Sequence, residues 1–341
     1  MVAVATEAMA AAEAEGGLAV VAVVASSAVI AATACVDYRA LMGGRSGAAP
    51  SAFDSRSSGS NEHSNGNMAH SSSSSSSSGS TSAMLPAVSV IIPVLNEAKG
   101  IADTIHYIRS MDPRPLDIVV VDGGSADGTV LAAIREGVRV VRAGRGRAKQ
   151  MNRGAEAAQG DILVFVHADS RPPASLVAAV RAALAHPRTV IGGFNTVVQL
   201  NGRVLCYMTG LHFVKTYLAP LLFRPLSFAR GLRCLFGDQT LFCRAADFKR
   251  VGGFDERLPL MEDLDLILRL HMAGPGGKLQ GRGRVAHVLR PVSHTSGRRL
   301  VSYGNVRGTY ILFRIALEWY LGVEPDRLQQ LYWELWTDKY R

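Results

Sequence analysis

VSVIIPV at residues 88–94 is the stretch on which the fold turns: apolar but for Ser89, and followed at once by Leu95-Asn96-Glu97. A continuous apolar run this short reads as a strand buried on both faces, as in a parallel sheet covered by helices. IVVV at 118–121, VRVV at 138–141 and ILVFV at 162–166 repeat the type downstream. The amphipathic stretches between them, 98–110, 127–136 and 149–159, read as crossover helices. Strand and helix in this rhythm predict an α/β fold built on a doubly wound sheet. Ligands of such sheets lie beyond the carboxyl ends of the strands. Those ends read Pro93-Val94-Leu95-Asn96-Glu97, Asp122-Gly123-Gly124-Ser125 and His167-Ala168-Asp169. Asp127 reads as a helix-start carboxylate, whereas Asp122 and Asp169, each directly after an apolar strand, read as functional.

Glycine positions test the nucleotide-binding alternatives. A dinucleotide fingerprint needs G-x-G-x-x-G after the first strand, but no glycine follows Val94 until Gly100. Gly144-Arg145-Gly146 lacks the third glycine, and G-x-x-x-x-G-K-[ST] does not occur. A glycine loop of the methyltransferase kind should close the first strand, whereas Gly123-Gly124 closes the second. A SAM-dependent methyltransferase therefore stands only as an alternative.

Outside this region the composition divides. Of 341 residues, the first 85 carry three basic and six acidic side chains, a net −3; the remaining 256 carry 34 and 22, a net +12. That surplus favours an anionic partner, whether a phosphorylated small molecule, a nucleic acid or an acidic membrane surface. The four cysteines, Cys35, Cys206, Cys234 and Cys243, show no paired spacing and read as buried thiols. Residues 1–45 form a leader in which Leu18–Val36 runs 19 residues without a charge. Three readings of it stay open: a weak membrane anchor, an atypical targeting peptide, or an Ala-rich helix with no membrane role. Organelle targeting or membrane association would follow from the first two, a cytoplasmic location from the third. Residues 46–85 read as a disordered linker, with 17 serines among the 37 residues from Ser46 to Ser82. The folded domain is expected over 86–341.

Taken together, VSVIIPVLNE at 88–97, VVVDGGSADGT at 119–129, GRAKQMNRGAEAAQGDILVFVHADS at 146–170, GDQTLFCR at 237–244 and VGGFDE with LMEDLDLILRL at 251–270 resemble the family-2 glycosyltransferases. The resemblance covers about residues 88–332. It is nearest to a bacterial-type subgroup with an H-A-D metal motif and a G-V-x-P-x-R-L segment, here Gly322–Leu328. It implies the GT-A fold, a mixed, mainly parallel sheet, and a metal-dependent inverting transferase that moves one sugar from a nucleoside-diphosphate sugar donor. The acceptor, whether glycan, lipid or small molecule, is left open. No Q-x-x-R-W segment of processive synthases occurs, so single transfer is expected.

The resemblance also implies roles. Pro93, Glu97, Asp122 and Gly124 would line the nucleotide pocket, with Asp122 accepting a hydrogen bond from the base. Asp169 would hold Mn²⁺ or Mg²⁺, a hard cation suited to carboxylate and phosphate oxygens. His167 stands where the commoner D-x-D motif has a second acid, which makes it a weaker ligand candidate. Arg145, Arg147 and Lys149 read either as a phosphate clamp or as a solvated basic loop. Asn152 and Gly154 serve helix packing, and Asp238 would touch the donor sugar or acceptor. Glu262 and Asp263 form the catalytic pair, with Asp263 as general base. Arg298 and Arg299 would close over the diphosphate, while His294 reads as an exposed loop residue. The apolar stretches 204–219 and 310–321 contain charged residues and read as core packing in preference to an apolar surface near the acceptor.

Two rivals complete the reading. A non-catalytic nucleotide-sugar or phosphoglycan binding module is motivated by His167 and opposed by the Glu262-Asp263 pair. A nucleic-acid binder is motivated by charge alone, and no groove-reading or base-stacking motif supports it, so no nucleic-acid partner is expected.

Overall fold

Strand and helix alternate along the first half of the domain as β1 (Val88–Val94), α1 (Ile101–Arg109), β2 (Asp117–Asp122), α2 (Thr129–Arg135), β3 (Arg139–Arg142), α3 (Arg147–Ala157) and β4 (Ile162–Phe165). The structure, a computed structural model, describes residues 85–276, 282–298 and 305–335. The leader, the Ser-rich segment up to residue 84 and Arg299 lie outside the described residues. The chain continues through β5 (Ser170–Arg171), α4 (Leu176–Ala185), β6 (Thr189–Leu200), β7 (Arg203–Val204), α5 (Cys206–Phe223) and α6 (Pro225–Ala229). A 3₁₀ turn (Gly237–Gln239) then leads to β8 (Phe242–Arg244), α7 (Ala245–Arg250), α8 (Glu262–Ala273), β9 (Arg284–Ser296), α9 (Asn305–Tyr320) and α10 (Pro325–Leu335).

All the strands join one mixed sheet in the order β3-β2-β1-β4-β8-β6-β9-β5, with β7 paired to β6. β3, β2, β1 and β4 are mutually parallel. β8 runs antiparallel to β4 and β6, and β6 is parallel to β9. Because successive side chains of a strand point to opposite faces, β1 feeds two cores. Val90, Ile92 and Val94 pack with Ile101 and Ile105 of α1 and Leu176 and Val180 of α4. Ile91 packs instead with Met151 of α3 and Ile267 and Leu270 of α8. Gly154 lets α3 approach this closely, since a Cβ there would lie 2.4 Å from Ile91 Cγ2 and 2.9 Å from Val121 Cγ2.

Two expectations are corrected. β3 is not buried on both faces: it is the margin of the sheet, with Arg139 and Arg142 exposed. The two apolar stretches are only partly core. α5 buries Met208, Leu211 and Val214, and α9 buries Ile311 and Ile315, but Val204 and Phe213 of the first stretch and Tyr320 and Leu321 of the second are exposed, as are Leu221, Leu222 and Phe223 just past the first stretch at the end of α5. These ends meet, with the Phe223 and Tyr320 rings 5.3 Å apart and the Tyr320 hydroxyl donating to Phe223 O at 3.1 Å. No described helix is long and apolar enough to cross a membrane. The buried-thiol reading fits Cys243, whose thiol pKa burial raises, while Cys206 and Cys234 are half-buried, burial still pushing the Cys234 thiol up to about 12.

Candidate active site

The ends of β1 and β2 are laced together before any ligand is considered. Asn96, held at φ 54, donates its backbone N–H to Ser125 Oγ at 2.9 Å and accepts from Ala126 N–H at 2.9 Å. Asp122 is buried, and its carboxylate accepts from the N–H groups of Gly124 at 3.1 Å and Ser125 at 3.0 Å. Asp122 therefore shapes the loop, and a base N–H would have to share an acceptor already in use. Gly124 sits at φ +95, where a side chain would be strained. Asp127 takes the capping role: it accepts from Thr129 N–H at 3.0 Å and Ala98 N–H at 3.2 Å, and the Thr129 hydroxyl bond foremost holds its carboxyl below the usual range. Pro93 lies in register with Val121. Beneath them the buried Gln150 donates to Val94 O at 2.8 Å and Val121 O at 2.9 Å, so one amide fixes the spacing of both strand ends.

At the end of β4, Asp169 stands partly exposed beside His167. Arg298 reaches across, its Nη2 3.8 Å from Asp169 Oδ2 and 3.9 Å from Glu97 Oε2. Three chain segments far apart in sequence thus converge at one point. No cluster of three or more His, Cys, Asp or Glu suited to a metal exists among the described residues. A single carboxylate still suits Mg²⁺ or a similar hard cation, which commonly keeps several waters and takes other ligands from phosphate oxygens. His294 is not on a loop but within β9, in register with Arg171, and half-buried; burial lowers its pKa.

The third constituent is the start of α8. Glu262 and Asp263 are only 1% and 6% exposed, so two carboxylates are buried side by side. Arg147 Nε lies 2.9 Å from Glu262 Oε1, but out of line for a hydrogen bond, so both Glu262 oxygens lack a donor among the described residues. Asp263 Oδ2 accepts the Gly237 N–H at 2.8 Å, while Oδ1 has no hydrogen-bond donor there. Burial, then repulsion from Glu262, pushes the Asp263 carboxyl up to about 7, against the opposing pull of Arg147 and the Gly237 N–H. Gly237 is needed for the approach: a Cβ would lie 2.7 Å from His167 Nε2 and 3.0 Å from Asp263 Oδ2. Next to it, Asp238 Oδ2 is held 3.1 Å from His212 Nε2. Burial lowers the His212 pKa to about 4, leaving the imidazole neutral at neutral pH.

Of the basic loop, Arg147 alone turns into the carboxylate pair; Arg145 and Lys149 are exposed. Asn152 clamps the 251–256 segment, donating to Phe254 O at 2.9 Å and accepting from Phe254 N–H at 2.9 Å. Sequence reasoning missed Gln150 and gave His212 no role. The available signal for His212 was a polar set, His212, Lys215 and Thr216, spaced on one face of an otherwise apolar helix.

Residues 89–237 match the family model described as glycosyl transferase family 2. The chain is 28% identical over 210 residues to the pre-mycofactocin glycosyltransferase of Mycobacterium tuberculosis, covering 58% of this chain and 42% of that protein. It is 29% identical over 181 residues to an uncharacterized glycosyltransferase of the same organism, covering 51% of this chain and 64% of that one. The chain thus spans less than two thirds of the length of either relative. Among solved structures, a mannosyltransferase from Pyrobaculum calidifontis in complex with GDP-Man and Mn²⁺ shares the fold at a TM-score of 0.51 and 22% identity, over 74% of this chain and 70% of that chain. The chain thus has a GT-A-like α/β fold, and its residues 89–237 are similar to the glycosyl transferase family 2 model.

Proposed function

We propose that the protein is a metal-dependent, inverting glycosyltransferase that moves one sugar from a nucleoside-diphosphate sugar to an acceptor hydroxyl. The observation that carries this is Asp263: buried, anchored by Gly237, and shifted toward neutrality, where a general base works best. In its ionised form Asp263 takes the acceptor proton as the acceptor oxygen attacks the anomeric carbon. The bond to the diphosphate breaks on the opposite face, inverting the configuration. Glu262 raises the proton affinity of that base and Arg147 lowers it.

The nucleotide would lie across the laced ends of β1 and β2, over Pro93, Glu97, Asp122 and Gly124. Asp169, and more weakly His167, would hold Mn²⁺ or Mg²⁺, which when bound neutralises charge on the leaving diphosphate. Arg298, now shared between Asp169 and Glu97, is placed to turn onto the diphosphate once a cation claims Asp169. Incubating the full-length chain with UDP- and GDP-sugars, Mn²⁺ and an acceptor panel tests the proposal. Transfer, or slow donor hydrolysis, that is lost in Asp169→Ala is the expected outcome. Nucleotide binding by neither donor class, or binding indifferent to Asp169→Ala, would refute it.

A further inference from the structure

Beyond the carboxylate pair, the site has a cation, Lys215, with no hydrogen bond or ion pair among the described residues. His212, Lys215 and Thr216 lie on one face of α5, spaced for adjacent turns of a helix. That face grips the segment carrying the base's anchor: His212 holds Asp238, Thr216 Oγ1 accepts from Gln239 Nε2 at 3.4 Å, and Thr216 O accepts from Cys234 N–H at 3.1 Å. Between these two contacts, Lys215 Nζ sits 4.5 Å above the Phe236 ring, one residue before Gly237. It makes no hydrogen bond or ion pair with the described residues. The nearby cations differ. Arg147 is paired with Glu262, Arg298 with Glu97 and Asp169, and Arg233 donates to Leu232 O at 2.6 Å and Phe228 O at 3.1 Å. Asp238 attracts Lys215 electrostatically but is committed to His212. Burial pushes the Lys215 pKa down, as expected of an ammonium with too little compensation.

Position decides which ligand this ammonium serves. Along the sheet the nucleotide-side strands β2 and β1 come first, then β4 with Asp169, then β8 and β6. α5 packs on β6, as does α8 with the base, so Lys215 lies with Asp263 on the side of Asp169 away from the β1 and β2 ends. We propose that Lys215 anchors an anionic group, a phosphate or a carboxylate, carried by the acceptor. This names the acceptor class for the activity proposed above and rests on that reading. The Phe236 ring seats the ammonium by a cation–π contact while its N–H donors remain available. An anion bound there would place a neighbouring hydroxyl of the same molecule toward Gly237 and Asp263.

The test titrates inorganic phosphate and, separately, glycerate into the full-length chain saturated with UDP or GDP and Mg²⁺, which fills the diphosphate site first. One of the two probes is expected to bind, at least tenfold more weakly in Lys215→Met than in wild type, with Lys215→Arg recovering part of the loss. Nucleotide affinity should stay within twofold, which also reports that the variant is folded. No binding of either probe by wild type, or equal binding by Lys215→Met, would overturn the inference. Repeating the titration without nucleotide separates the two claims. Lys215-dependent anion binding in a chain that binds no nucleotide would sink the transferase and leave the anion site. Nucleotide binding with anion affinity indifferent to Lys215 would do the reverse.

Discussion

At the scale of single residues, Asp263 carries opposed demands. The proposed role as general base needs it ionised, while burial beside Glu262 favours its protonated form. Asp263→Asn should lower kcat by roughly 10²–10⁴-fold, the usual contribution of a positioned base, with nucleotide affinity unchanged by titration calorimetry. The wild-type rate should fall as pH drops through about 7. Arg147 pulls that value down, so Arg147→Met should move the acid limb of the pH–rate profile to higher pH. Stability carries the opposite sign. A carboxyl whose folded pKa is raised above 3.8 contributes fully only below that value and loses its contribution as pH rises toward about 7. Asp263→Asn, with no charge to bury, should therefore melt higher than wild type at pH 8, and the gap should close by pH 4. Equal melting temperatures at both pH values would mean that the carboxylate is not held at a cost.

Elements explain what was legible and what was not. β1, β2 and β4 stand out in the sequence because strands buried on both faces must be apolar throughout, and their ends carry Glu97, Asp122, Asp169 and the turn that follows. β6 and β9 left no such trace. β6 carries Gly192 and Gly193, whose missing side chains admit the Phe242 ring, the Gln239 carbonyl and the Leu235 and Leu241 side chains, and β9 is half polar, with His287, Ser293, His294 and Thr295 on it. The pairings of Arg147 with Glu262 and His212 with Asp238 join residues that no local period links, so they emerge only in three dimensions. Packing between elements also yields a prediction. Gly154→Ala would force a methyl to 2.4 Å from Ile91, and overpacking of this kind costs about 1–3 kcal/mol, read as a lower denaturation midpoint in urea. Gln150→Leu would leave the Val94 and Val121 carbonyls without their side-chain donor. Because Val94 O keeps the Gly123 N–H, the penalty is that of the lost bonds, about 0.5–1.5 kcal/mol each, and nucleotide affinity should fall with it, because the same amide sets the spacing of the β1 and β2 ends.

For the molecule as a whole, the decisive boundary is where the chain enters the sheet. Pro86 O accepts from Arg181 Nε at 2.8 Å, Ala87 N–H donates to Asp161 Oδ2 at 2.9 Å, and β1 begins one residue later. On the reading of residues 1–85 as leader and linker, thermal unfolding of a chain starting at Pro86 should match the full-length protein to within about 0.5 kcal/mol, the scale of changes that disturb no buried contact. Fractionating the same two chains in cells addresses the leader: equal partition into the soluble fraction would sink both the anchor reading and any membrane role for residues 18–36. A chain starting at Pro93 should behave differently in kind. It loses the centre of the parallel half, since β1 pairs with β2 on one side and β4 on the other, and it loses Val88, Val90, Ile91 and Ile92, each almost wholly buried. At about 1.5–3 kcal/mol for each such side chain, burial alone forfeits roughly 6–12 kcal/mol, comparable to the whole stability of a typical domain. That chain should show no cooperative transition, and a cooperative melt from it would mean that β1 is not the keystone of the sheet.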